Sequence, residues 1–353
     1  MIAAAIVPMV TLVAVAPAQA ARPVVGHPAK ARATVTCGET ITTSTVLMNN
    51  VGPCSTEFGI TLAGSNITLN LNGHRIVGDK QPTTTLWGIH VFSSPGDTIE
   101  NGEITGFATG VYLERTTGDT IQHMDIHDNV GPRDGSTDYG EGIQIYQGGS
   151  NIITSNEIVH NGTFAGIDSY TSSNNTFTNN NVLDNNIIQL NSVHLGPTVM
   201  QDIGIWVLNL NAANPGGATN NLVKGNDVIN NGLDGIQIAR YTNSNQVANN
   251  QAVRNGFGQV KGIRDGDGVA IFGSDNIVQS NDSTANAANG VRVVSGGQSN
   301  QVTGNESYLN GTGPNSGGIA FDLADTNVSP PCDSNTWSGN LFGTVNQSCV
   351  RSH

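Results

Sequence analysis

Charge is scarce in this chain. Of its 353 residues 12% are Asp, Glu, Lys or Arg, with 27 acidic against 14 basic, for a formal charge of −13. So few cations supply no basic face for phosphate contacts, which argues against a nucleic-acid partner. Aromatic residues make up 5% and cysteines number four. The cysteines include no Cys-x-x-Cys and have no His pair beside them, which argues against a metal site built on them. Helical spacing of apolar residues is missing, so no helical enzyme is expected. One long apolar run exists, Ile2 to Ala16, followed by Ala18-Gln19-Ala20 before Ala21. It is too short for a membrane span and reads as a secretory signal over residues 1–20, one that lacks the usual basic n-region.

What the chain has instead is glycine, 44 of them, and a repeat. Gly-[Ile/Val]-x-hydrophobic recurs at Gly59, Gly88, Gly110, Gly142, Gly166, Gly204, Gly235, Gly268, Gly290 and Gly318, with a closest spacing of 22 residues. A fixed period of this size predicts a solenoid. Each copy reads as three short strands. In the clearest, Gly142-Ile143-Gln144-Ile145-Tyr146 alternates as a half-buried strand, and Asn151-Ile152-Ile153 and Glu157-Ile158-Val159 follow it. Asn residues stand five apart, as Asn151, Asn156, Asn161 and again as Asn175, Asn180, Asn185 and Asn221, Asn226, Asn231. Five residues make one side of a triangular coil. Asn tolerates the left-handed backbone of a tight corner, and its amide bonds an identical amide one coil away, so these residues are expected to be structural.

This pattern resembles the right-handed parallel β-helix repeat of the pectate-lyase-like superfamily over most of residues 59 to 345. The resemblance implies an all-β, single-stranded solenoid of about ten coils with three parallel sheets, and a groove on the first sheet for a sugar polymer. The expected organisation is residues 1–20 as signal, 21–58 as lead-in and N-terminal cap, 59–328 as β-helix repeats and 329–353 as C-terminal coil and cap. Cys37 and Cys54 lie at one end of the array and Cys332 and Cys349 at the other. Export makes disulfides the expected state, and two stapled ends fit an array whose terminal edges are exposed, although four cysteines allow three connectivities. The Asp-Pro-His of the mannuronan epimerases and the polygalacturonase motifs are missing from the sequence, so no catalytic residue is carried over.

Function is expected where the repeat lengthens, at Val130 to Glu141, Asn186 to Ile203, Gly256 to Asp267 and Gly311 to Gly317, which share one corner, with Asn209 to Ala218 as an opposite wall. With the Ile or Val after each Gly inward, the next position faces out: His90, Tyr112, Gln144, Asp168, Trp206, Gln237 and Arg292. Two residues on, the same face carries Phe92, Glu114, Tyr146, Tyr170 and Phe272. Aromatic faces stack on sugar rings, which makes Tyr112, Gln144, Tyr146, Trp206, Gln237, Arg240 and Phe272 the substrate-binding candidates. Carboxylates gather beside them at Asp138, Glu141, Asp168, Asp202, Asp234, Asp265 and Asp267, suited to acid–base work or to holding Ca²⁺ against a uronate. Asp before Gly is also ordinary turn chemistry, which applies to Asp234 and Asp267. Proton abstraction calls for a base, and Lys261, Arg264, His194 and Tyr170 are the candidates. The reading is a secreted, monomeric enzyme on an extracellular polysaccharide, a lyase of a uronate-containing polymer. The alternatives are a glycoside hydrolase on the same groove and a non-catalytic carbohydrate-binding or surface solenoid.

Overall fold

The computed structural model describes residues 31–84, 86–132, 139–185, 202–209, 211–214, 217–258, 266–313 and 320–351. Its strands wind into a solenoid whose ladders are parallel from coil to coil. The first sheet has 11 strands, from Glu39–Ile41 at one end to Leu323–Asp325 at the other. The other two faces form a continuous 21-stranded sheet, joined at the corner by the long strands Thr98–Thr105 and Thr120–His127. A full coil lies ahead of Gly59, made by Glu39–Ile41, Thr45–Leu47 and Val51–Cys54. Inside, Ile60, Ile89, Val111, Ile143, Ile167, Ile205, Ile236, Val269, Val291 and Leu323 stack in register, each fully buried.

The repeated glycine is required for space. It faces the interior corner where the third strand of its coil closes on the first. A Cβ on Gly166 would stand 2.6 Å from Val182 Cγ1 and 2.8 Å from the Gly204 carbonyl oxygen, and Gly88, Gly110, Gly142 and Gly204 are crowded in the same way. Gly318, expected to open the tenth copy, lies outside the described residues. The strand of that rung is Leu323–Asp325, paired so that Val291 faces Leu323, which puts Asp322 where Gly290 stands one coil earlier.

The Asn residues form three buried ladders, but their backbone reason differs from the expected one. The left-handed residues are those just before them: Ser150, Ser155 and His160, then Asn174, Asn179 and Asp184, with φ between 53° and 60°. The laddered Asn turns its side chain inward. Asn226 Nδ2 donates to Asn250 Oδ1 at 2.9 Å and to the Phe177 carbonyl at 2.9 Å, while Asn226 Oδ1 accepts the backbone N–H of Asn180 at 3.0 Å. Buried amides need all of these partners, and in a parallel stack each coil supplies them to the next. The ladders also run beyond the Asn rhythm. Asp97 and Asp119 hold the slot ahead of Asn151, each accepting or donating from coil to coil, and Asn335 and Asn340 continue two ladders into the last coil.

Both ends are stapled. Cys37 bonds Cys54 and Cys332 bonds Cys349, each across 17 residues. At the C-terminal end the short 3₁₀ turn Ser348–Arg351 covers the last coil, burying Val350 beside Trp337.

Candidate functional site

The outer face of the first sheet carries three columns of side chains. The first holds Phe58, Trp87, Thr109, Glu141, Ala165 and Ile203. The second is the expected one, with His90, Tyr112, Gln144, Asp168, Trp206 and Gln237 in register. The third holds Phe92, Glu114, Tyr146, Tyr170 and Leu208. The first column was missed by the sequence reading, because strict alternation from the inward Ile skips it. The bend at the crowded glycine puts two consecutive residues inward and the one before them out.

The third column is the most open of the three from Phe92 to Tyr170, and closes at Leu208, which is buried. Tyr112, Gln144, Trp206 and Gln237 retain 8% exposure each, so the middle column is a closed layer and not the exposed surface expected of it. Phe92 is 45% exposed, and Tyr146 and Tyr170, half-buried, stack with centroids 5.4 Å apart and planes at 2°. Towards the N-terminal coils, His90 lies in a stack with Phe58, Trp87 and Tyr112. Its Nε2 is 3.1 Å from Glu114 Oε2. Burial outweighs that carboxylate and lowers the His90 pKa, which favours the neutral ring.

Beside the open strip lies a linked pair of carboxyl groups. Glu141 accepts from Thr109 Oγ1 at 2.6 Å, from the Gly140 N–H at 3.0 Å and from Gln144 Nε2 at 3.1 Å. The same Gln144 amide reaches Asp168 Oδ2 at 3.5 Å. Burial, reinforced by the charge of Glu141, raises the Asp168 pKa well above the carboxylate range. Among the described residues, Asp168 Oδ1 and the indole N–H of Trp206, opposite it in register, find no hydrogen-bond partner.

Asp234 and Asp267 serve the backbone of the next coil. Asp234 Oδ1 accepts the N–H groups of Gly266 and Asp267 at 2.9 and 2.8 Å, and Asp234 Oδ2 accepts from Gln237 Nε2 at 2.7 Å. Asp267 Oδ1 accepts the Asn289 N–H at 2.8 Å, and Asp267 Oδ2 pairs with Arg292. Asp202 is buried, with its own carbonyl accepting the Leu233 N–H. His194, Lys261, Arg264, Asp265 and Asp138 lie outside the described residues. Among the described residues no group of three or more His, Cys, Asp or Glu is placed to hold a metal ion, and no helix is long and apolar enough to cross a membrane.

Further along the rod, the turns after three successive strands enclose an open cavity of about 330 Å³, lined by Arg240, Tyr241, Asn243, Phe272, Ser274 and Gly296 among others. Arg240 and Phe272, both binding candidates, thus meet at one place.

A family model described as "right handed beta helix region" matches residues 58–214. The fold is a right-handed parallel β-helix. Among solved β-helix structures it is similar to the periplasmic alginate epimerase AlgG at 13% identity and a TM-score of 0.52, covering 88% of this chain and 71% of that one. It is also similar to the Dettilon tailspike protein at 18% identity and a TM-score of 0.47, covering 90% and 60%. A third is the alginate lyase from Paenibacillus sp. str. FPU-7, at 15% identity and 0.43, covering 88% and 99%. At these identities the likeness concerns the β-helix fold. Sequence comparison with curated proteins gives no significant match.

Proposed function

We propose that this β-helix engages an extracellular polysaccharide along the open strip of its first sheet and acts on it, with elimination on a uronate-containing polymer as the first activity to test. The observation that carries the reading is the strip: Phe92, Tyr146 and Tyr170 stand in one register column with open ring area, spaced by the coil repeat, on a rigid scaffold. Sugar rings stack on such rows, and rigid placement keeps the ordering cost low. For elimination, a base must remove the proton next to the uronate carboxylate. Tyr170 lies on the strip two residues from Asp168 and on the same face, and burial raises the Asp168 pKa, which favours its protonated, donating form.

A second reading, hydrolysis, is supported by the Gln144 bridge between Glu141 and Asp168. Two linked carboxyl groups, one of which burial holds towards its protonated form, suit an acid and base pair. Asp168 is 1% exposed and Glu141 fully buried, so the strip, and not the pair, is the stronger support.

The test is incubation of the oxidised protein with uronate polysaccharides and neutral glycans, with and without Ca²⁺, following the ultraviolet absorbance of unsaturated ends and the release of reducing ends. Elimination predicts rising absorbance that Tyr170→Phe abolishes. Reducing ends without absorbance, lost in Asp168→Asn, would assign hydrolysis. Binding without either product would leave a carbohydrate-binding surface.

A further inference from the structure

We propose that the cavity at the Arg240 turn is a subsite for an acidic sugar, so that the polymer held on this face combines uncharged and acidic units. The proposal rests on the polysaccharide reading above and deepens it by naming the substrate class.

The two ends of the binding face differ in charge. Along Phe92, Tyr146 and Tyr170 the surface acid Glu114 lies 3.9 Å from the cation Arg115, which it pairs, and Glu141 is buried beside them. A continuous polyanion laid there would meet the acids Glu114 and Glu141 with the neighbouring cation Arg115 already paired. Uncharged rings stacked on tyrosine would not.

At the cavity the sign reverses. Arg240 is exposed, and among the described residues it makes no ion pair; no carboxylate is among the lining residues Arg240, Tyr241, Asn243, Phe272, Ser274 and Gly296 named above. The neighbouring cation is already engaged: Arg292 pairs with Asp267 and lies 5.9 Å from the centre of the Phe272 ring. Arg292 therefore neutralises the nearest buried acid and leaves Arg240 as the cation facing a ligand. A guanidinium on a cavity rim matches a carboxylate or sulfate in geometry and charge.

The walls are fixed before any ligand arrives. Asn209 Nδ2 donates to the Tyr241 carbonyl at 3.0 Å, and Asn243 Oδ1 accepts the Ser274 N–H at 3.2 Å. Tyr241 is 39% exposed and sits at φ 62°, a corner that Gly or Asn would occupy more cheaply. An exposed tyrosine held in that backbone, across from Phe272, supplies ring faces for a sugar whose charge Arg240 meets. The turn lies two coils beyond that of Tyr170, about 10 Å along the rod, which is the span of a disaccharide.

Titration calorimetry at low and physiological salt tests this with three oligosaccharides of matched length: a neutral β-glucan, a homopolymeric uronate and one in which uronates alternate with uncharged sugars. The alternating compound is expected to bind the wild-type protein tightest, by about tenfold over the neutral one at low salt, with the margin shrinking as salt rises. Arg240→Gln should remove most of that margin and Arg240→Lys should restore part of it. Equal losses for charged and neutral compounds in Arg240→Gln, no loss at all, or tighter binding of the homopolymeric uronate would overturn the subsite. Failure of the wild-type protein to bind any of the three, with Tyr146→Ala indistinguishable from it, would instead overturn the polysaccharide reading.

Discussion

At the residue scale, the repeated glycine and the buried aspartate are each defined by what surrounds them. Gly166→Ala must push a methyl group against Val182, Asn185 Nδ2 and the backbone of the next coil. A loss of about 2 kcal/mol is expected, read as a lower urea midpoint at unchanged slope. Asp168 has a folded pKa raised above its unfolded value. The folded state therefore holds its proton more tightly, and the contribution of this group to stability falls as pH rises past the ordinary carboxylate range. Asp168→Asn is expected to unfold at a higher temperature than the wild type at pH 8, with the difference vanishing near pH 3; an equal shift at both pH values would assign the effect to packing. The outward direction of Asp168 was legible from the Gly-Ile phase of the repeat. Its burial was not, because closure over the middle column comes from neighbours on other coils that spacing alone does not reveal.

At the scale of the element, the Asn rows are the strongest determinants of the coil. Removing one interior amide leaves several buried groups unpaired at once. Asn226→Ala is expected to cost about 3 kcal/mol or more, whereas Asn340→Ala, half-buried in the last coil, should cost clearly less; equal denaturation midpoints for the two variants would contradict the ladder. Asp119 occupies a slot of the same row, and burial pushes its pKa from 3.8 up to about 6. Its ionisation is disfavoured in the fold, so its contribution to stability is fully present at low pH and is lost between about pH 4 and pH 6. Asp119→Asn completes the amide row, since Asp119 already accepts the Asp97 N–H through Oδ1 and donates its own N–H to Asn151 Oδ1. Higher thermal stability above pH 6 and a flatter pH dependence are expected, checked by melting curves from pH 4 to pH 8. The five-residue rhythm revealed the rows but attached the left-handed backbone to the wrong residue, because Asn suits both roles and the neighbours that take the corner are as varied as Ser155, His160 and Ala285. Asp97 and Asp119 escaped notice since a carboxylate breaks the rhythm while keeping the acceptor.

For the whole molecule, stability is close to a sum over coils and their contacts, with the ends the weakest members. Each disulfide closes a terminal coil on itself, Cys37 with Cys54 around the first and Cys332 with Cys349 around the last. Breaking either is expected to cost about 3 kcal/mol and to speed amide exchange in the adjoining coil while leaving the Tyr146–Tyr170 region protected. Uniformly faster exchange along the rod would mean that the array unfolds as one unit. The solenoid and its stapled ends were legible in the sequence because a periodic pattern needs few long-range facts; the opening of the last rung at Asp322 was not, because an acid there breaks the glycine series.

The ladders have one more consequence, for length. Every coil from that of Asn151 to that of Asn300 offers the same three amide acceptors to the coil before it and three donors to the coil after it, and Asp275 and Ser299, the residues before Asn276 and Asn300, share a left-handed backbone at φ 58° and 56°. A second copy of residues 276–299 spliced in after Ser299 therefore meets its neighbours with matching chemistry at both seams. The rod would grow by about 4.8 Å with both caps intact, so that its reach becomes a number the gene can count, one duplication at a time.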